Sequence, residues 1–296
     1  MKSAIVTGAT GFVGVHLIKE LINNDVSVTA LCRLGSSNIN RVPKNVQIVY
    51  DISDIKKADV FYHLAWDGAS GEGRLDPVLQ IKNTDMTISF QATANEIGCK
   101  RFVALGTIYE NLVSQIIDSQ KFSGSDFYVL SKAYAHLISN QLALKQGLEY
   151  IWCTICHPIG HYIKNEQMMA YTISSLLSGQ KPSFGLALTL FDILAVEDVA
   201  QGLFLLGATE DLSKREYYIG SGNVKPLNEW LNEAHDILGS DISLGIGERP
   251  DDGLVFDKSW FDISSIVTDT GYSPKISFSD AVIKTANWLR QLGNHF

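Results

Sequence analysis

The sequence predicts an α/β protein built on a doubly wound parallel sheet. In the first half of the 296-residue chain, short apolar runs alternate with longer stretches of helical periodicity. This alternation is the order of strands and crossover helices in a parallel sheet. A glycine-rich turn, Thr7 to Gly14, separates the first apolar run from the first helical stretch. The length indicates about two domains.

Composition favours a folded protein that works in solution. Apolar residues make up 46% of the chain and charged residues 19%, which suits a large core and argues against disorder. The net charge is −8 without a run of Lys or Arg, which argues against a nucleic acid or a membrane surface as partner. The first strand starts near residue 2, and the apolar stretch 186–196 is too short to span a bilayer. We therefore expect a soluble, cytoplasmic protein without a signal peptide.

The first strand and helix enclose a turn with the spacing G-x-x-G-x-x-G. Gly8 lets the chain turn sharply after the strand, and Gly11 lets a pyrophosphate approach the backbone. Gly14 is expected to let the helix pack closely on the sheet. The N–H groups and the positive dipole end of the helix would face the phosphates. This context predicts a dinucleotide-binding turn, although glycine-rich turns also occur in other α/β proteins.

The remaining elements of the first half follow the same patterns. Apolar runs predict strands at residues 26–31, 46–50, 60–66, 102–105 and 148–156. Helical periodicity predicts helices over residues 77–97 and 128–145. We expect ligands to bind where the strands end, because open α/β sheets place their crevice there.

The end of the second strand bears on cofactor choice. NAD-preferring proteins with this turn have an acidic residue there that holds the ribose 2′-hydroxyl. Here Cys32 stands at that position and Arg33 follows. Because an arginine can pair with a 2′-phosphate, the sequence favours NADP, with NAD possible. The alternative is that Arg33 is a solvated loop residue.

Three residues suggest proton-transfer chemistry. Tyr128 and Lys132 form a Y-x-x-x-K pair that shares one helical face. A nearby ammonium lowers the pKa of a phenol, so we expect Tyr128 to act as a general acid or base. Thr107 follows the fifth strand and can hydrogen-bond a substrate oxygen. The alternative is a surface helical pair with an unrelated turn threonine.

The pair Cys153 and Cys156 forms a C-x-x-C that could suggest metal or redox chemistry. Both cysteines lie in an apolar strand, and residues three apart on a strand face opposite sides. We interpret them as two core cysteines and expect no metal site.

The glycine turn, Thr107 and the Tyr128–Lys132 pair together resemble the extended short-chain dehydrogenase/reductase family, in its NAD-dependent epimerase/dehydratase group. Further segments also resemble this family, namely 63–65, 191–200, 217–222, 249–252 and 271–274. Most members act on nucleotide-linked sugars. The resemblance implies a Rossmann-type sheet with a smaller C-terminal α/β lobe.

The resemblance also implies domain limits. Residues 1–157 and 190–220 are expected to form the NAD(P)-binding domain, and residues 158–189 and 221–296 the substrate-binding lobe. Two long helices, near 78–97 and 128–145, form a dimer contact in many members, so a homodimer is expected.

The resemblance assigns roles to individual residues. Catalysis is assigned to Thr107, Tyr128 and Lys132. Cofactor contacts are expected from Gly8, Thr10, Gly11, Phe12, Val13, Gly14, Arg33, Asp51, Ile52, Leu64, Ala65, Trp66, Tyr128 and Lys132. Substrate contacts are expected from Asp67, Asn83, Thr107, His157 and Arg249.

Several of these assignments have simpler alternatives. Asp51 would face the adenine amino group, but it could instead cap a turn. His63 is expected to be a satisfied core histidine. His157 stands where members commonly have Asn, which weakens the usual substrate contacts. Arg249 could grip a pyrophosphate with its planar fork or be an ordinary loop arginine.

Three reactions share this chemistry. A 4,6-dehydratase needs an acid and a base directly after the threonine, but here Ile108-Tyr109-Glu110 follows Thr107, so we rank it last. Arg33 favours an NADP-linked 4-ketoreductase, by a small margin over a 4-epimerase that retains NAD. A non-catalytic NADP-binding regulatory protein remains a further alternative, because a fold does not determine function.

Overall fold

The computed structural model describes residues 1–119, 121–251 and 253–293. The strands in this part of the chain are β1 Ser3–Thr7, β2 Ser27–Leu31, β3 Gln47–Val49, β4 Val60–His63, β5 Arg101–Leu105, β6 Glu149–Thr154, β7 His157–Ile159, β8 Leu190–Phe191, β9 Ile193–Ala195, β10 Glu216–Tyr218 and β11 Lys225–Pro226. The α-helices are α1 Phe12–Asn23, α2 Pro77–Glu96, α3 Val113–Asp118, α4 Asp126–Gln146, α5 Met168–Leu177, α6 Val196–Ala208, α7 Leu227–Leu238, α8 Ser264–Thr270 and α9 Phe278–Gly293.

Seven strands form one parallel sheet in the order β10-β6-β5-β4-β1-β2-β3. The order runs outwards from β1 in one direction through β2 and β3, and in the other through β4, β5, β6 and β10. The switch point therefore lies between β1 and β4, where such sheets open a crevice at the carboxyl ends of their strands. The predicted doubly wound sheet of the Rossmann type is confirmed.

The chain divides into two compact units. The first comprises Met1–Ile155, Val199–Ile219 and Ser264–Tyr272, and the second comprises Cys156–Asp198, Gly220–Ile263 and Ser273–Phe296. The sheet lies in the first unit. The assignment of one part to the cofactor and the other to the substrate stays a prediction.

In the first unit, large apolar side chains on the strands of the sheet form the core. Ile5, Phe61 and Phe102 come from three neighbouring strands and are fully buried. Helix α1 buries Leu17 and Leu21 on the face that the sequence pattern predicts. Burying side chains of this size contributes about 1.5–3 kcal/mol each to folding.

Helices α2 and α4 pack against each other, and their ends follow local rules. Asp76 caps α2 by accepting hydrogen bonds from the N–H groups of Val78 and Leu79, and Pro77 follows as the first helical residue. Gly147 ends α4 in the left-handed region at a φ of 67°. Helix α4 begins at Asp126, two residues before the predicted start, and extends the helical pattern that carries Tyr128.

The second unit contains two short two-stranded pairings. β7 pairs with β9 in parallel and β8 with β11 antiparallel. Helices α5, α7 and α9 pack against one another. The strand predicted over residues 148–156 is shorter than expected, since β6 ends at Thr154, and the separate strand β7 begins after it at His157.

Two further expectations concern the cysteine pair and the absence of a membrane-spanning helix. Cys153 and Cys156 are both buried and free, as interpreted from the strand pattern. Among the residues that the structure describes, no helix has both the length and the apolar character needed to cross a bilayer.

Candidate active site

The glycine turn joins β1 to α1 at the switch point. Gly8 has a φ of 68°, and its carbonyl accepts a hydrogen bond of 2.8 Å from the Gly11 N–H. A Cβ on Gly14 would stand 2.2 Å from the Gly8 oxygen, and a Cβ on Gly8 would stand 2.8 Å from the Ala65 nitrogen. Gly14 thus allows α1 to approach the backbone that leaves β1, and its role in packing the helix on the rest of the sheet stays a prediction. Gly8 is the glycine that packs against the chain after β4.

The helix N-terminus after the turn lacks a side-chain cap. Gly11 caps the N-terminus of α1 and has no side chain to occupy the first-turn N–H groups. Phe12 and Val13 open the helix, with Thr10 just before the cap. The exposed first-turn donors and the helix dipole favour an anion at this position.

Thr7 and His63 fix the end of β4 beside this turn. One ring nitrogen of His63 lies 2.9 Å from the Thr7 hydroxyl and the other 3.0 Å from the Thr87 hydroxyl. Burial, with a smaller effect from Lys132, lowers the pKa of His63 to about 3. His63 is therefore neutral and satisfied, as expected of a core histidine. The Thr7 hydroxyl also accepts from the N–H groups of Leu64 and Ala65.

Arg33 and Asp67, predicted to serve cofactor and substrate respectively, are paired with each other. Arg33 Nη1 lies 2.9 Å from both carboxylate oxygens of Asp67. The two residues follow β2 and β4, the strands on either side of β1. Asn83 from α2 holds the Asp67 backbone through hydrogen bonds of 2.9 Å and 2.8 Å. Asn83 is thus placed as a brace for this segment.

Asp51 caps the short turn that begins at Ile52. Its carboxylate accepts hydrogen bonds from the backbone N–H and the hydroxyl of Ser53, at 2.8 Å and 2.7 Å. These bonds lower the pKa of Asp51. The turn-cap alternative describes its contacts in this structure, and its contact with adenine stays a prediction.

Thr107, Tyr128 and Lys132 come together after β5. All three are buried, and the Thr107 hydroxyl faces the Tyr128 phenol, where it lowers the pKa of that group. Lys132 Nζ donates to the Leu105 carbonyl at 2.7 Å and lies 3.8 Å from the centroid of a Trp66 ring. The structure thus brings together the three predicted catalytic residues and the predicted cofactor contact Trp66.

The ionisation of this group differs from the sequence prediction. Burial raises the pKa of Tyr128, while Arg74 and the Thr107 hydroxyl lower it and Glu110 raises it further. Burial lowers the pKa of Lys132 to about 7. The expectation that the ammonium lowers the pKa of Tyr128 is wrong for this structure. Lys132 is directed to Leu105 and Trp66, and the loss of hydration dominates at Tyr128.

Glu110 organises the segment after Thr107. Its carboxylate accepts from the Thr107 N–H at 2.7 Å and from Trp152 Nε1 at 2.9 Å. Sequence reasoning considered Glu110 only as a catalytic acid and missed its structural role. The T-x-x-E pattern from Thr107 to Glu110 is that of a capping box, and it would have predicted the structural role of Glu110.

His136 extends the line of Tyr128 and Lys132 by one more helical turn. Its ring stacks on Trp152 at a centroid distance of 4.7 Å, and its nitrogens lie 3.3 Å from Glu110 and 3.3 Å from Glu216. Burial alone would lower the pKa of His136, but the two carboxylates raise it to about 9. The spacing of four residues from Lys132 indicates only that His136 shares its helical face, and no sequence pattern points to the contacts with Trp152 and the two carboxylates.

His157 and Arg249 lie in the second unit. His157 Nε2 accepts a hydrogen bond from the Met169 N–H at 3.4 Å. Arg249 Nε donates to the Ser183 hydroxyl at 2.7 Å, and Nη2 donates to the Tyr171 hydroxyl at 3.2 Å. Asp252, from the same predicted segment, lies outside the described residues. Substrate contacts of His157 and Arg249 stay predictions.

Comparison with known proteins supports the expected resemblance. The chain is 25% identical over 322 residues to a dTDP-glucose 4,6-dehydratase of Actinoplanes sp., covering 97% of each chain. It is 29% identical over 115 residues to a dTDP-6-deoxy-L-talose 4-dehydrogenase (NAD(+)) of Aggregatibacter actinomycetemcomitans, covering 36% of this chain and 42% of the relative. The structure of a UDP-N-acetylglucosamine 4-epimerase from Methanobrevibacter ruminantium M1 shares the fold, with a TM-score of 0.82, 21% identity and coverage of 98% and 99%.

A family model covers most of the chain. The model of the NAD dependent epimerase/dehydratase family matches residues 4–220, which include the glycine turn, the three predicted catalytic residues and all strands of the seven-stranded sheet. The protein therefore belongs to the NAD dependent epimerase/dehydratase family, a family of enzymes.

Proposed function

We propose that this protein transfers a hydride at carbon 4 of a nucleotide-linked sugar, as an NADP-linked 4-ketoreductase. The observation that carries the proposal is the buried group of Thr107, Tyr128 and Lys132, in the same unit as the glycine turn. The three relatives named above act, by their names, at position 4 of a dTDP- or UDP-linked sugar, although their reactions differ. This shared position supports carbon 4 as the site of the proposed hydride transfer in this protein.

Each residue of this group has a separate role in the proposed reduction. The nicotinamide of the bound cofactor supplies the hydride. Tyr128 donates its proton to the carbonyl oxygen of the substrate, because its buried phenol stays protonated at neutral pH. Thr107 orients the phenol through its hydroxyl, and Lys132 lies one helical turn away.

The geometry disfavours a 4,6-dehydratase. That reaction needs a free acid and a free base near the threonine, and Glu110 is the carboxylate closest to it in sequence. Glu110 already accepts hydrogen bonds from Thr107 and Trp152 and faces His136. The residue directly after Thr107 is Ile108, which is fully buried. Glu110 is therefore a structural carboxylate in this proposal.

Cofactor choice rests on the end of β2. Cys32 is buried and Arg33 is exposed, so Arg33 is the side chain that can meet a 2′-phosphate there. Its present partner is Asp67, and a phosphate would have to compete with that carboxylate. A 4-epimerase with retained NAD remains the second candidate, favoured by this pairing and by the epimerase of similar fold.

The substrate contacts divide into direct and supporting ones. Arg249, beside two hydroxyl groups, offers a planar cation to a diphosphate. In the first unit, Asp67 offers a carboxylate for the sugar, and the predicted contact of His157 is proposed separately for the second unit. Asn83 acts through the Asp67 backbone, because its Oδ1 accepts a hydrogen bond from the Asp67 N–H and its Nδ2 donates one to the Asp67 carbonyl.

One experiment separates the two candidates. Freshly purified protein is denatured, any released nucleotide is identified by mass spectrometry, and emptied protein is titrated with NADPH and NADH. An empty protein that binds NADPH much more tightly supports the ketoreductase. Stoichiometric bound NAD would overturn it in favour of the epimerase. Binding of NADPH without turnover of any 4-keto nucleotide sugar would favour a regulatory protein.

We also propose a homodimer through α2 and α4. The outer face of α4 exposes Tyr134, Leu137 and Leu144, and α2 exposes Val78 and Ile81. Apolar side chains at this helical spacing suit a helix-to-helix contact. Light scattering coupled to size exclusion should give about twice the mass of the chain, and a monomer would contradict the proposal.

A further inference from the structure

The loop between β4 and α2 is closed on itself. Gly68 and Gly71 have φ values of 66° and 65°. A Cβ on Gly73 would stand 2.5 Å from the Gly68 Cα, so the backbone of the loop at Gly73 returns to contact its start at Gly68. This loop, residues 68–76, is therefore built with a defined path.

Gln80 from α2 anchors the same loop. It is fully buried, and its Nε2 donates to the carbonyls of Gly68 at 3.1 Å and Gly73 at 2.8 Å. Its Oε1 accepts from Trp66 Nε1 at 2.8 Å. One buried amide thus holds the loop at Gly68 and Gly73, together with the indole that faces Lys132. A buried polar group with several partners rigidifies its surroundings.

The loop places Arg74 over the proposed catalytic tyrosine. Arg74 Nε donates to the Ala69 carbonyl at 2.8 Å, within the loop. Its guanidinium carbon lies 4.5 Å from the centroid of the Tyr128 ring and 5.6 Å from that of Tyr109. A cation at this distance from an aromatic face is attracted to it, and a cation near a phenol favours the phenolate.

Three groups with charge or a polar hydrogen act on the Tyr128 phenol. Arg74 comes from the loop, and Glu110 and the Thr107 hydroxyl come from the segment after β5. Lys132 donates to Leu105 and faces Trp66, while Glu110 opposes the phenolate. Arg74 is thus the cation placed directly on the phenol ring.

We infer that Arg74 is a positioning residue that stabilises the phenolate form of Tyr128, and that the 68–76 loop holds the Arg74 guanidinium over the Tyr128 ring. The inference rests on the proposed role of Tyr128 in proton transfer. Reduction of the substrate leaves Tyr128 deprotonated when it has given its proton to the new hydroxyl group. Arg74 then offsets part of the cost of the buried negative charge until a proton returns.

The test measures the ionisation of Tyr128 directly. Tyr128 is replaced by 3,5-difluorotyrosine, whose phenol ionises nearer neutral pH and gives one fluorine NMR signal. Arg74→Met should raise the pKa of this phenol by about one unit, since the lost interaction is on the order of a single cation–ring contact. Arg74→Lys should restore part of the shift. Arg290→Met, which removes an exposed arginine of α9, should leave the pKa unchanged.

A second variant separates the cation from the loop that carries it. Gly73→Ala keeps Arg74 but forces a clash with Gly68, so it should raise the pKa in the same direction. A pKa that stays the same in Arg74→Met would overturn the inference. That outcome differs from failure of the proposed function, which would appear as unchanged turnover in Tyr128→Phe with its own substrate.

Discussion

The glycine turn and the group around Tyr128 lie in the same unit but are held together in different ways. The turn is formed by eight consecutive residues, and its tight contacts are between backbone atoms of Gly8, Gly11 and Gly14. The group around Tyr128 combines side chains from the loop after β4, the segment after β5 and helix α4. A short sequence motif specifies the first, whereas long-range packing assembles the second.

The two regions also differ in charge. The turn offers backbone N–H groups and a helix dipole, which do not titrate. The group around Tyr128 contains a buried phenol and a buried amine, and burial shifts the pKa of each away from its ordinary value. Changes in the turn should therefore alter binding and stability, and changes around Tyr128 should alter chemistry and its pH dependence.

The largest expected effect is on turnover in Tyr128→Phe. Removing the phenol hydroxyl removes the proton donor, which should lower kcat by roughly 10²- to 10⁴-fold. Affinity for the dinucleotide, measured by quenching of protein fluorescence, should change little, because the glycine turn is intact. Tyr134→Phe is the matched control, since Tyr134 is exposed on the same helix. Equal turnover in the two variants would contradict the mechanism.

Gly14→Ala should disrupt the glycine turn, the other region compared above. Its Cβ would stand 2.2 Å from the Gly8 oxygen, so the turn must open, at a cost of about 1–3 kcal/mol in the free energy of unfolding. Binding of the dinucleotide should weaken as well. Urea denaturation and cofactor titration measure the two effects. Gly124→Ala, where a Cβ would meet only Leu75 Cδ2 at 3.5 Å, should have neither effect.

His136 should make stability depend on pH. The pKa of its folded form is about 9, above the unfolded value of about 6.5, so the folded protein binds the proton more tightly. The stabilisation is complete below pH 6.5 and is lost as the pH rises through 9. Compared with His136→Gln, the native protein should lose an advantage on the order of 1–3 kcal/mol over this range. Denaturant melts at several pH values test this.

Glu216→Gln sharpens the same prediction. It removes the exposed member of the two carboxylates that face His136, so the pKa of His136 followed by NMR should fall. A stability difference between native protein and His136→Gln that is the same from pH 6 to pH 9 would show that His136 acts by packing alone.

The smallest expected effect concerns Arg33 and its partner. Asp67→Asn should free Arg33 and tighten NADPH binding by a factor of about two to five, because exposed ion pairs contribute little. The difference should shrink at high salt. NADH is the internal control, since it lacks the 2′-phosphate. Equal changes for both nucleotides would argue against a role of Arg33 in cofactor choice.

Local pattern was sufficient for much of this protein. Alternation of apolar runs and helical stretches predicted the parallel sheet, and the spacing of Gly8, Gly11 and Gly14 predicted the turn at its switch point. The helical spacing of Tyr128 and Lys132 predicted their shared face. These features depend on residues close in sequence, whose periodicity is set by the helix and the strand themselves.

Tertiary structure alone decided which groups surround those motifs. Arg33 pairs with Asp67, 34 residues away, Glu110 bonds to Trp152, 42 residues away, and Arg74 reaches Tyr128 from a different loop. The pKa of Tyr128 is raised rather than lowered, because burial and the direction of Lys132 follow from packing. A single sequence contains no periodicity that reports such contacts, since they arise only when distant segments meet at the strand ends.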